Sequence, residues 1–206
     1  MRRSCTILAV LLTLGLLPFA VAEEPAQGVS LFDGKTLDGW DGNPKFWSVK
    51  DGVICGQTTP DNPTKGNTFL IWRKGEVGDF QLELDFRIVG GNSGIQYRSK
   101  EAGPWVIHGY QADFDAGGAY SGILYEEGGR GIVSERGKKI AIDEKGQWQA
   151  VGDTAKNEDI LKAIKKEDWN HYTVIAKGNR LIHKINDIVT VEVTDNQVEK
   201  RSMSGL

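Results

Sequence analysis

Cysteine is nearly absent from this chain, and its two cysteines cannot form a network of cross-links. Only two of the 206 residues are cysteine. Cys5 lies in an N-terminal segment that we expect to be removed, which leaves Cys55 without an intrachain partner and excludes a disulfide framework. Cys55 stands between Ile54 and Gly56, and a lone cysteine in such a place is typical of a small buried hydrophobic residue. Apolar burial must therefore hold the fold together.

A strong excess of charge is also missing. The formal net charge is −3, with 26% charged and 39% hydrophobic residues. Nucleic-acid binding requires a basic surface, so we expect no nucleic-acid partner. The composition and length suit one globular domain with its own core.

A long apolar run occurs only at the N-terminus. Residues 7–19 are apolar, follow the basic Arg2 and Arg3, and precede a small-residue tripeptide that ends at Ala22. This order is typical of a secretory signal peptide. The run is short for a membrane span, and an uncleaved anchor is the competing interpretation. We expect a signal peptide at 1–22, export to the periplasm or the cell exterior, and no membrane contact after cleavage.

The rest of the chain is rich in turns. Glycine is high at 26 residues and proline modest at six, a composition that favours short strands. Residues 157–166 alone show a convincing helical pattern, with Asn157 as the expected N-cap. We predict a linker at 23–30, followed at 31–206 by an antiparallel β-sandwich with one short helix.

Asp51-Gly52 and Asn186-Asp187 predict hairpin turns. We expect strands, including the hairpin at the end, in these ranges: 69–73, 79–89, 92–99, 107–115, 121–125, 170–176 and 180–193. We expect loops in these polar or glycine-rich ranges: 58–67, 100–106 and 126–138.

Three of these segments, 79–89, 92–99 and 107–115, alternate apolar and polar residues. A period of two places each polar set on one face of a sheet. The polar sets are rich in amides, carboxylates and arginines, which are the groups that bind sugar hydroxyls in a groove. A solvated cross-strand ladder is the competing interpretation for Asp85 and Arg87. A buried core histidine is the competing interpretation for His108, which shares the apolar parity of its strand.

Several stretches resemble the 3-keto-disaccharide hydrolase family, formerly a domain of unknown function. Residues 31–40, LFDGKTLDGW, resemble its opening signature, and residues 91–98, GNSGIQYR, resemble its central motif. Further similar stretches are GYQAD at 109–113, YSGILY at 120–125, DWN at 168–170 and HKIN at 183–186. The resemblance covers roughly residues 31–206.

The resemblance implies a concanavalin A-like jelly roll and an exported enzyme that cleaves 3-keto-glycosides or 3-keto-disaccharides. Two departures from the family pattern matter. The turn Asn186-Asp187 replaces the usual Asn-Gly, which is a mild change because Asp tolerates turn geometry. The family also runs one strand past the end of this chain, so we expect a C-terminal strand to be missing.

A ketone at C3 of a sugar changes what an enzyme must supply. The ketone acidifies the hydrogen on C2, and the glycosidic oxygen on C1 is β to the carbonyl. A base can therefore remove the C2 proton, the enolate can expel the leaving group, and water can add to the enone. This route needs a base, an enolate stabiliser and a leaving-group acid. Ordinary glycoside hydrolysis instead needs two flanking carboxylates.

The polar faces and the family motifs supply candidates for these roles. The catalytic candidates are Glu83, Asp113, Glu135 and His183. The substrate-binding candidates are Asn92, Gln96, Arg98, His108, Gln111, Tyr125, Glu126 and Arg130. Arg98 and Arg130 would stabilise an enolate, and Trp105, Trp148 or Tyr125 would stack on a sugar ring. The expected partner is a small sugar or an oligosaccharide.

A divalent metal chelated by the ketone and a neighbouring hydroxyl would also stabilise the enolate. Suitable ligand types are present in His108, Asp113, Glu135 and His183. These residues are dispersed, and no compact ligand motif such as HExxH occurs. We predict no firm cofactor and keep a divalent metal as the alternative.

A non-catalytic carbohydrate-binding module is the second hypothesis, because a sandwich serves lectins equally well. Such a module needs amides and aromatic rings but no poised base. A glucanase of the laminarinase kind is the third hypothesis. It lacks support because the paired-glutamate pattern ExDxxE is absent: Glu83-Leu84-Asp85 is followed by Ile88 instead of a second Glu.

Overall fold

A computed structural model describes residues 28–197. The chain separates into two compact units, Met1–Leu31 and Phe32–Leu206. Of the first unit, residues 28–31 are described, and they form no helix or strand. The predicted signal peptide and the predicted lack of a C-terminal strand fall on residues outside the described part. Within residues 28–197, no helix combines the length and apolar character that crossing a membrane requires.

Strands dominate the second unit, and its described part contains one short helix, α1 (Asn157–Ala163). The strands are, in chain order, β1 (Trp40–Asp41), β2 (Trp47–Lys50), β3 (Val53–Gly56), β4 (Ile71–Trp72), β5 (Phe80–Phe86), β6 (Asn92–Gly103), β7 (Val106–Asp115), β8 (Leu124–Glu127), β9 (Gly131–Ser134), β10 (Lys138–Ile142), β11 (Trp148–Asp153), β12 (Asn170–Lys177), β13 (Arg180–Ile185) and β14 (Ile188–Asp195).

Two sheets form the body of this unit. The large sheet has six strands in the order β11-β10-β14-β13-β12-β5, and the small sheet has four in the order β6-β7-β8-β9. All neighbours in them are antiparallel except β10 and β14, which run parallel. Two short pairs, β1 with β4 and β2 with β3, complete the pairing. The predicted all-β antiparallel sandwich with one short helix is confirmed.

The core lies between the two sheets and is filled by the apolar parity of their strands. Phe86 of β5 stacks on Phe114 of β7, with ring centroids 4.3 Å apart. Tyr97 and Tyr110 of the small sheet and Tyr172 of the large sheet are at most 2% exposed. Because the apolar side chains point inward, the polar side chains that alternate with them point outward. Those of β5 lie on the outer surface of the large sheet, and those of β6 and β7 lie on the outer surface of the small sheet. The polar sets therefore lie on opposite surfaces of the sandwich.

Both predicted hairpin turns are confirmed. Asp51 and Gly52 have φ angles of 50° and 79°, and Asn186 and Asp187 have φ angles of 48° and 66°. Positive φ at both central residues is the signature of a type I′ turn, whose twist matches that of the flanking strands.

The helix is shorter than the predicted range and is capped differently. It ends at Ala163, and Ile164 is already extended. The N-cap position belongs to Lys156, which makes no side-chain cap hydrogen bond. Asn157 Oδ1 instead accepts a hydrogen bond from Arg136 Nε at 2.8 Å. The prediction of Asn157 as N-cap is wrong because a residue distant in sequence occupies its side chain.

The predicted loop at 126–138 is also wrong, because the stretch holds the end of β8 and all of β9. The predicted loop at 100–106 shrinks to a turn at Pro104 and Trp105. β10 and β11 have no counterpart among the predicted strands. All six residues of β11 are exposed, so this strand has no buried parity that an alternation pattern could reveal.

Candidate active site

The outer face of the small sheet collects the polar side chains of β6 and β7. Three cross-strand pairs build it: Asn92 with Asp115, Gly94 with Asp113, and Gln96 with Gln111. Tyr125 of β8 pairs with Gln111 and joins the same face. We call this surface the amide–carboxylate face, and its side chains are Asn92, Gln96, Gln111, Asp113, Asp115 and Tyr125.

Gly94 makes room for the side chains on this face. A Cβ atom at this position would lie 2.6 Å from Cγ of Gln111, which is closer than such atoms approach. The glycine therefore lets the Gln111 side chain lie over β6, which explains why a residue without a side chain interrupts the polar set.

Asp113 is an enclosed carboxylate on this face and is 5% exposed. Its Oδ1 atom accepts hydrogen bonds from Asn92 Nδ2 at 2.9 Å and from Gln111 Nε2 at 3.2 Å. Burial, together with the negative charge of Asp115, raises the pKa of Asp113 to about 6 against the lowering effect of the two amides. A carboxylate with such a pKa can accept and return a proton close to neutral pH.

Asp115 has a different environment, although it lies two residues further along β7. Backbone N–H groups of Ala119, Tyr120 and Ser121 donate to its carboxylate at 3.0, 2.8 and 2.8 Å, and the Ser121 hydroxyl donates to Oδ1 at 3.0 Å. Burial acts to raise the pKa of Asp115, but these hydrogen bonds outweigh it and lower the pKa. Asp115 is therefore ionised at neutral pH. The alternating pattern contained Asp115, but sequence reasoning assigned it no role.

Gln96 and Tyr125 extend the face away from Asp113. Gln96 Nε2 donates to the carbonyl oxygen of Ile107 at 3.3 Å. Its Oε1 atom is buried and has no partner among the described residues. Tyr125 is half-buried. The face thus offers an amide acceptor and an aromatic ring, both of which suit a sugar.

Arg98 does not join this face, although its motif predicted that it would. Nη1 donates to the carbonyl oxygen of Gly178 at 2.6 Å, and Nη2 donates to Asp79 Oδ1 at 3.2 Å. The side chain is 5% exposed. Gly178 lies in the turn between β12 and β13 of the large sheet, so the guanidinium of Arg98 bridges the two sheets and is not available to an enolate.

Arg130 and Glu126 lie in a buried polar cluster at the end of β14. Arg130 forms ion pairs with Glu126 and with Asp195, the latter at 2.7 Å from Nη2 to Oδ2. Tyr110 Oη donates to the same Asp195 oxygen at 2.6 Å, and Arg130 Nη1 donates to Gln197 Oε1 at 2.8 Å. Asp195 is fully buried and Glu126 is 2% exposed. The cluster joins the two sheets, and the structure thus places Arg130 and Glu126 apart from the amide–carboxylate face.

His183 lies in the core and is 0% exposed. Its Nε2 atom is 2.9 Å from Tyr97 Oη, and its Nδ1 atom is 3.3 Å from the carbonyl oxygen of Ile123. Burial lowers the pKa of His183 to about 3, so the ring is neutral. A substrate cannot reach this ring, and the structure therefore contradicts its predicted proton-transfer role.

The remaining catalytic candidates, Glu83 and Glu135, and the substrate-binding candidate His108 do not converge on Asp113. Glu83 is exposed on the outside of the large sheet, where its Oε1 atom accepts a hydrogen bond from Gln81 Nε2 at 2.7 Å. Glu135 is exposed on the connection after β9, two strands away from β7. His108 is half-buried and packs against Gly128, where a Cβ atom would lie 2.3 Å from the His108 ring.

Two of the predicted stacking residues lie away from the amide–carboxylate face. Trp105 Nε1 donates to Asp41 Oδ1 at 2.8 Å and so fastens β1 to the turn between β6 and β7. Trp148 is 65% exposed on the edge strand of the large sheet. Tyr125 is the predicted stacking ring that the structure places beside the amides.

The residues proposed as metal ligands are not gathered into one set. Asp113 lies on the outer face of the small sheet, His183 lies in the core, and Glu135 is on a connection. Across residues 28–197, no group of three or more His, Cys, Asp or Glu side chains is arranged to hold a metal ion. The predicted ligand set is therefore not assembled by the fold.

The strand pairing defines an all-β sandwich whose polar outer face carries a carboxylate that titrates near neutral pH. The chain belongs to the family of 3-keto-alpha-glucoside-1,2-lyase-like domains, whose profile matches residues 27–205. A curated 3-keto-disaccharide hydrolase from Bacteroides thetaiotaomicron is 32% identical over 82 residues. That match covers 35% of this chain and 28% of the relative, so it spans less than a third of the relative's length.

Two solved structures are similar to part of this chain. The carbohydrate-binding module CBM66 from Bacillus subtilis has 18% identity and a TM-score of 0.48, covering 77% of this chain and 80% of that chain. A proposed glycosyl hydrolase from Parabacteroides distasonis has 20% identity and a TM-score of 0.49, covering 83% of this chain and 73% of that chain. The sandwich assignment rests on the strand pairing described above.

Proposed function

We propose that this chain cleaves 3-keto-glycosides and that Asp113 is the base that removes the C2 proton. The observation that carries the proposal is an enclosed carboxylate with a pKa of about 6, cradled by two amides on an outer sheet face. Family membership and the name of the curated relative support the substrate class.

In the proposed reaction, the ionised Asp113 takes the proton from C2, and the electron pair moves to form an enolate at the C3 oxygen. The C3 carbonyl re-forms as the C1–O bond breaks, which leaves an enone and an alkoxide that takes a proton from water and so generates hydroxide. This hydroxide adds at C1, and Asp113 returns its proton to C2. The balance is one keto-glycoside and one water consumed, with one keto sugar and one alcohol released.

The two amides next to Asp113 supply hydrogen-bond donors for the enolate. Asn92 and Gln111 each carry two amide hydrogens, and each donates one of them to Asp113. The second hydrogen of each amide can donate to the C3 oxygen, where negative charge develops. The unpartnered Oε1 atom of Gln96 can accept a bond from a ring hydroxyl.

The substitution Asp113→Asn tests the base. General-base removal slows a reaction by about 100-fold to 10,000-fold, so turnover of a 3-keto-glucoside should fall by at least about 100-fold. Binding, measured by calorimetry, should persist because asparagine keeps an acceptor for the two amides. Glu83→Gln is the matched control, because Glu83 lies on the opposite surface of the sandwich and should leave turnover unchanged.

Retained turnover in Asp113→Asn would contradict the base assignment. If the unmodified protein binds a 3-keto-glucoside and the parent glucoside but converts neither, a carbohydrate-binding module replaces the enzyme. The amides and Tyr125 of the same face would then account for the binding.

We also propose that the protein is exported. The basic start, the short apolar run and the small-residue tripeptide at 1–22 support this. The mass of the protein recovered from the periplasm or the medium should correspond to a chain that begins at Glu23. A chain that retains Met1 and stays with the cytosolic fraction would contradict export.

A further inference from the structure

The two carboxylates on β7 have unlike surroundings. Asp113 and Asp115 share one face of the strand, and a rise of about 3.3 Å per residue puts them about 7 Å apart. Both are at least 91% buried, at 5% and 9% exposure. Asp113 has two amide donors on one oxygen, whereas both oxygens of Asp115 are held by backbone N–H groups. Side-chain amides thus hold Asp113 through one oxygen, whereas the backbone fixes both oxygens of Asp115.

The loop after β7 is shaped around Asp115. Gly118 has a φ of 74°, which suits glycine, and a Cβ atom on Gly117 would lie 3.2 Å from Asp115 Oδ2. The far end of the loop is anchored from outside, because Arg136 Nη1 donates to the carbonyl oxygen of Ser121 at 2.5 Å. The glycines let the backbone turn its N–H groups toward the carboxylate, and the anchor keeps them there.

The charge of Asp115 is not cancelled by an ion pair. No ion pair within residues 28–197 includes Asp113 or Asp115. The charged group that acts on Asp115 is the half-buried guanidinium of Arg136, which interacts with it at a distance. From the large sheet, the neutral phenol of Tyr172 interacts with Asp113. Asp113 therefore feels a fixed negative charge from its neighbour on the same strand.

We propose that Asp115 is a positioning residue that stays ionised and makes Asp113 a stronger base. This rests on the proposed function of Asp113. A nearby negative charge disfavours ionisation of Asp113, so the Asp113 carboxylate binds a proton more tightly than an isolated one. Burial is the main cause of the raised pKa of Asp113, and the negative charge of Asp115 adds to it. Burial also acts on Asp115, but hydrogen bonds outweigh it and lower the pKa of Asp115.

The substitution Asp115→Asn removes the charge and keeps a side chain of the same shape. The measurement is a carbon-13 NMR titration of the Asp113 carboxyl group, which needs no substrate. A unit charge about 7 Å away in a partly screened site should shift the midpoint by about one pH unit. We therefore expect the midpoint to move downward by about one pH unit in this variant.

The pH profile of turnover gives a second readout. The acid limb of kcat/KM should move to lower pH together with the NMR midpoint, and the plateau of kcat should fall several-fold because a weaker base reacts more slowly. Asp85→Asn is the matched control, since it removes a carboxylate charge from an exposed side chain (67% exposed) on the opposite surface of the sandwich. Its midpoint and its acid limb should stay at the wild-type values.

An unchanged Asp113 midpoint in Asp115→Asn would overturn the proposal. If that variant does not fold, the same NMR titration of the unmodified protein tests the proposal. The proposal requires Asp115 to remain ionised throughout the pH range in which Asp113 titrates. Protonation of Asp115 before Asp113 on acidification would overturn it. If Asp113→Asn keeps its turnover while the NMR midpoint shifts in Asp115→Asn, the base assignment fails and the coupling between the carboxylates stands.

Discussion

The raised pKa of Asp113, which suits a general base, also lowers the stability of the folded chain at neutral pH. Its pKa is about 6 in the folded chain, compared with 3.8 for an unperturbed aspartate. The folded state binds the proton more tightly, so stability falls as pH rises from about 3.8 to about 6. One pKa unit corresponds to 1.36 kcal/mol, so at pH values above that range the ionisation of Asp113 lowers the free energy of unfolding by about 3 kcal/mol.

Asp113→Asn should therefore be more stable than the wild type at pH 8, by about 2 to 3 kcal/mol. The difference should vanish near pH 3, where the wild-type carboxyl is also neutral. Urea unfolding at both pH values measures it. Glu83→Gln is the control, because its exposed carboxylate should show no such pH-dependent gain. An equal gain for Asp113→Asn at both pH values would point to packing instead of ionisation.

Parity along a strand predicted Asn92, Gln96, Gln111 and Asp113 as neighbours, and the structure brings them together on one face. Parity failed for Arg98, and Arg130 was proposed from a predicted loop to which parity does not apply. The partners of these arginines, such as Gly178 and Asp195, lie far away in the sequence, and a local pattern contains no information about them. The sheet face on which a side chain lies is therefore stronger evidence that it belongs to a site than its chemical type.

At the scale of elements, the β13–β14 turn shows that its two central residues act differently. Asn186 Nδ2 donates to the carbonyl oxygen of Ala163 and to Asn170 Oδ1, each at 2.8 Å. Asn186 Oδ1 accepts from the backbone N–H of His171 at 2.9 Å. Asn186 thus fixes the end of α1 to the sheet, while Asp187 mainly satisfies a left-handed backbone.

Asp187→Gly should stabilise the protein by about 0.5 kcal/mol, because glycine adopts a φ of 66° without the strain that other residues carry. Asn186→Gly at the neighbouring position should destabilise it, since three hydrogen bonds are lost. Urea midpoints of the two variants give the comparison. A loss of stability in Asp187→Gly would mean that the aspartate side chain supports the turn.

Elements with a buried face or a turn signature were predictable, and others were not. The hairpins carry Asp-Gly or Asn-Asp pairs, and β5 to β7 alternate over most of their length. β11 pairs with β10 through its backbone while all its side chains remain exposed. Backbone hydrogen bonds do not depend on an alternation of apolar and polar residues. Such a strand can therefore be identified only from the structure, where its pairing partner is known.

At the scale of the whole molecule, the two sheets are joined by charged groups as well as by the apolar core. The cluster around Arg130 links Tyr110 and Glu126 of the small sheet to Asp195 of the large sheet. Two carboxylates with almost no exposure form ion pairs with this guanidinium. Burial acts to lower the pKa of Arg130, but hydrogen bonds to Asp195 and Glu126 outweigh it and raise the pKa. A cation that pairs with both acids is therefore required where the sheets meet.

Arg130→Met should destabilise the protein by about 3 to 5 kcal/mol, because it removes the ion-pair partner of the fully buried Asp195 carboxylate. Arg180→Met is the matched control. Arg180 forms an ion pair with Glu192 at 2.7 Å but its side chain is 56% exposed, so its loss should change stability by about 1 kcal/mol or less. Urea unfolding distinguishes the two, and similar losses would show that burial of the Arg130 cluster is unimportant.

The sequence by itself determined which parity of each strand is polar, where the chain turns, and the family to which it belongs. These properties depend on residues close together along the chain. Only the tertiary structure decided that β5 lies in a different sheet from β6 and β7, that Arg98, Arg130 and His183 point inward, and that the pKa of Asp113 lies near 6. Sheet membership, pairing of charges and burial all arise from contacts between distant parts of the chain, so no local pattern could contain them.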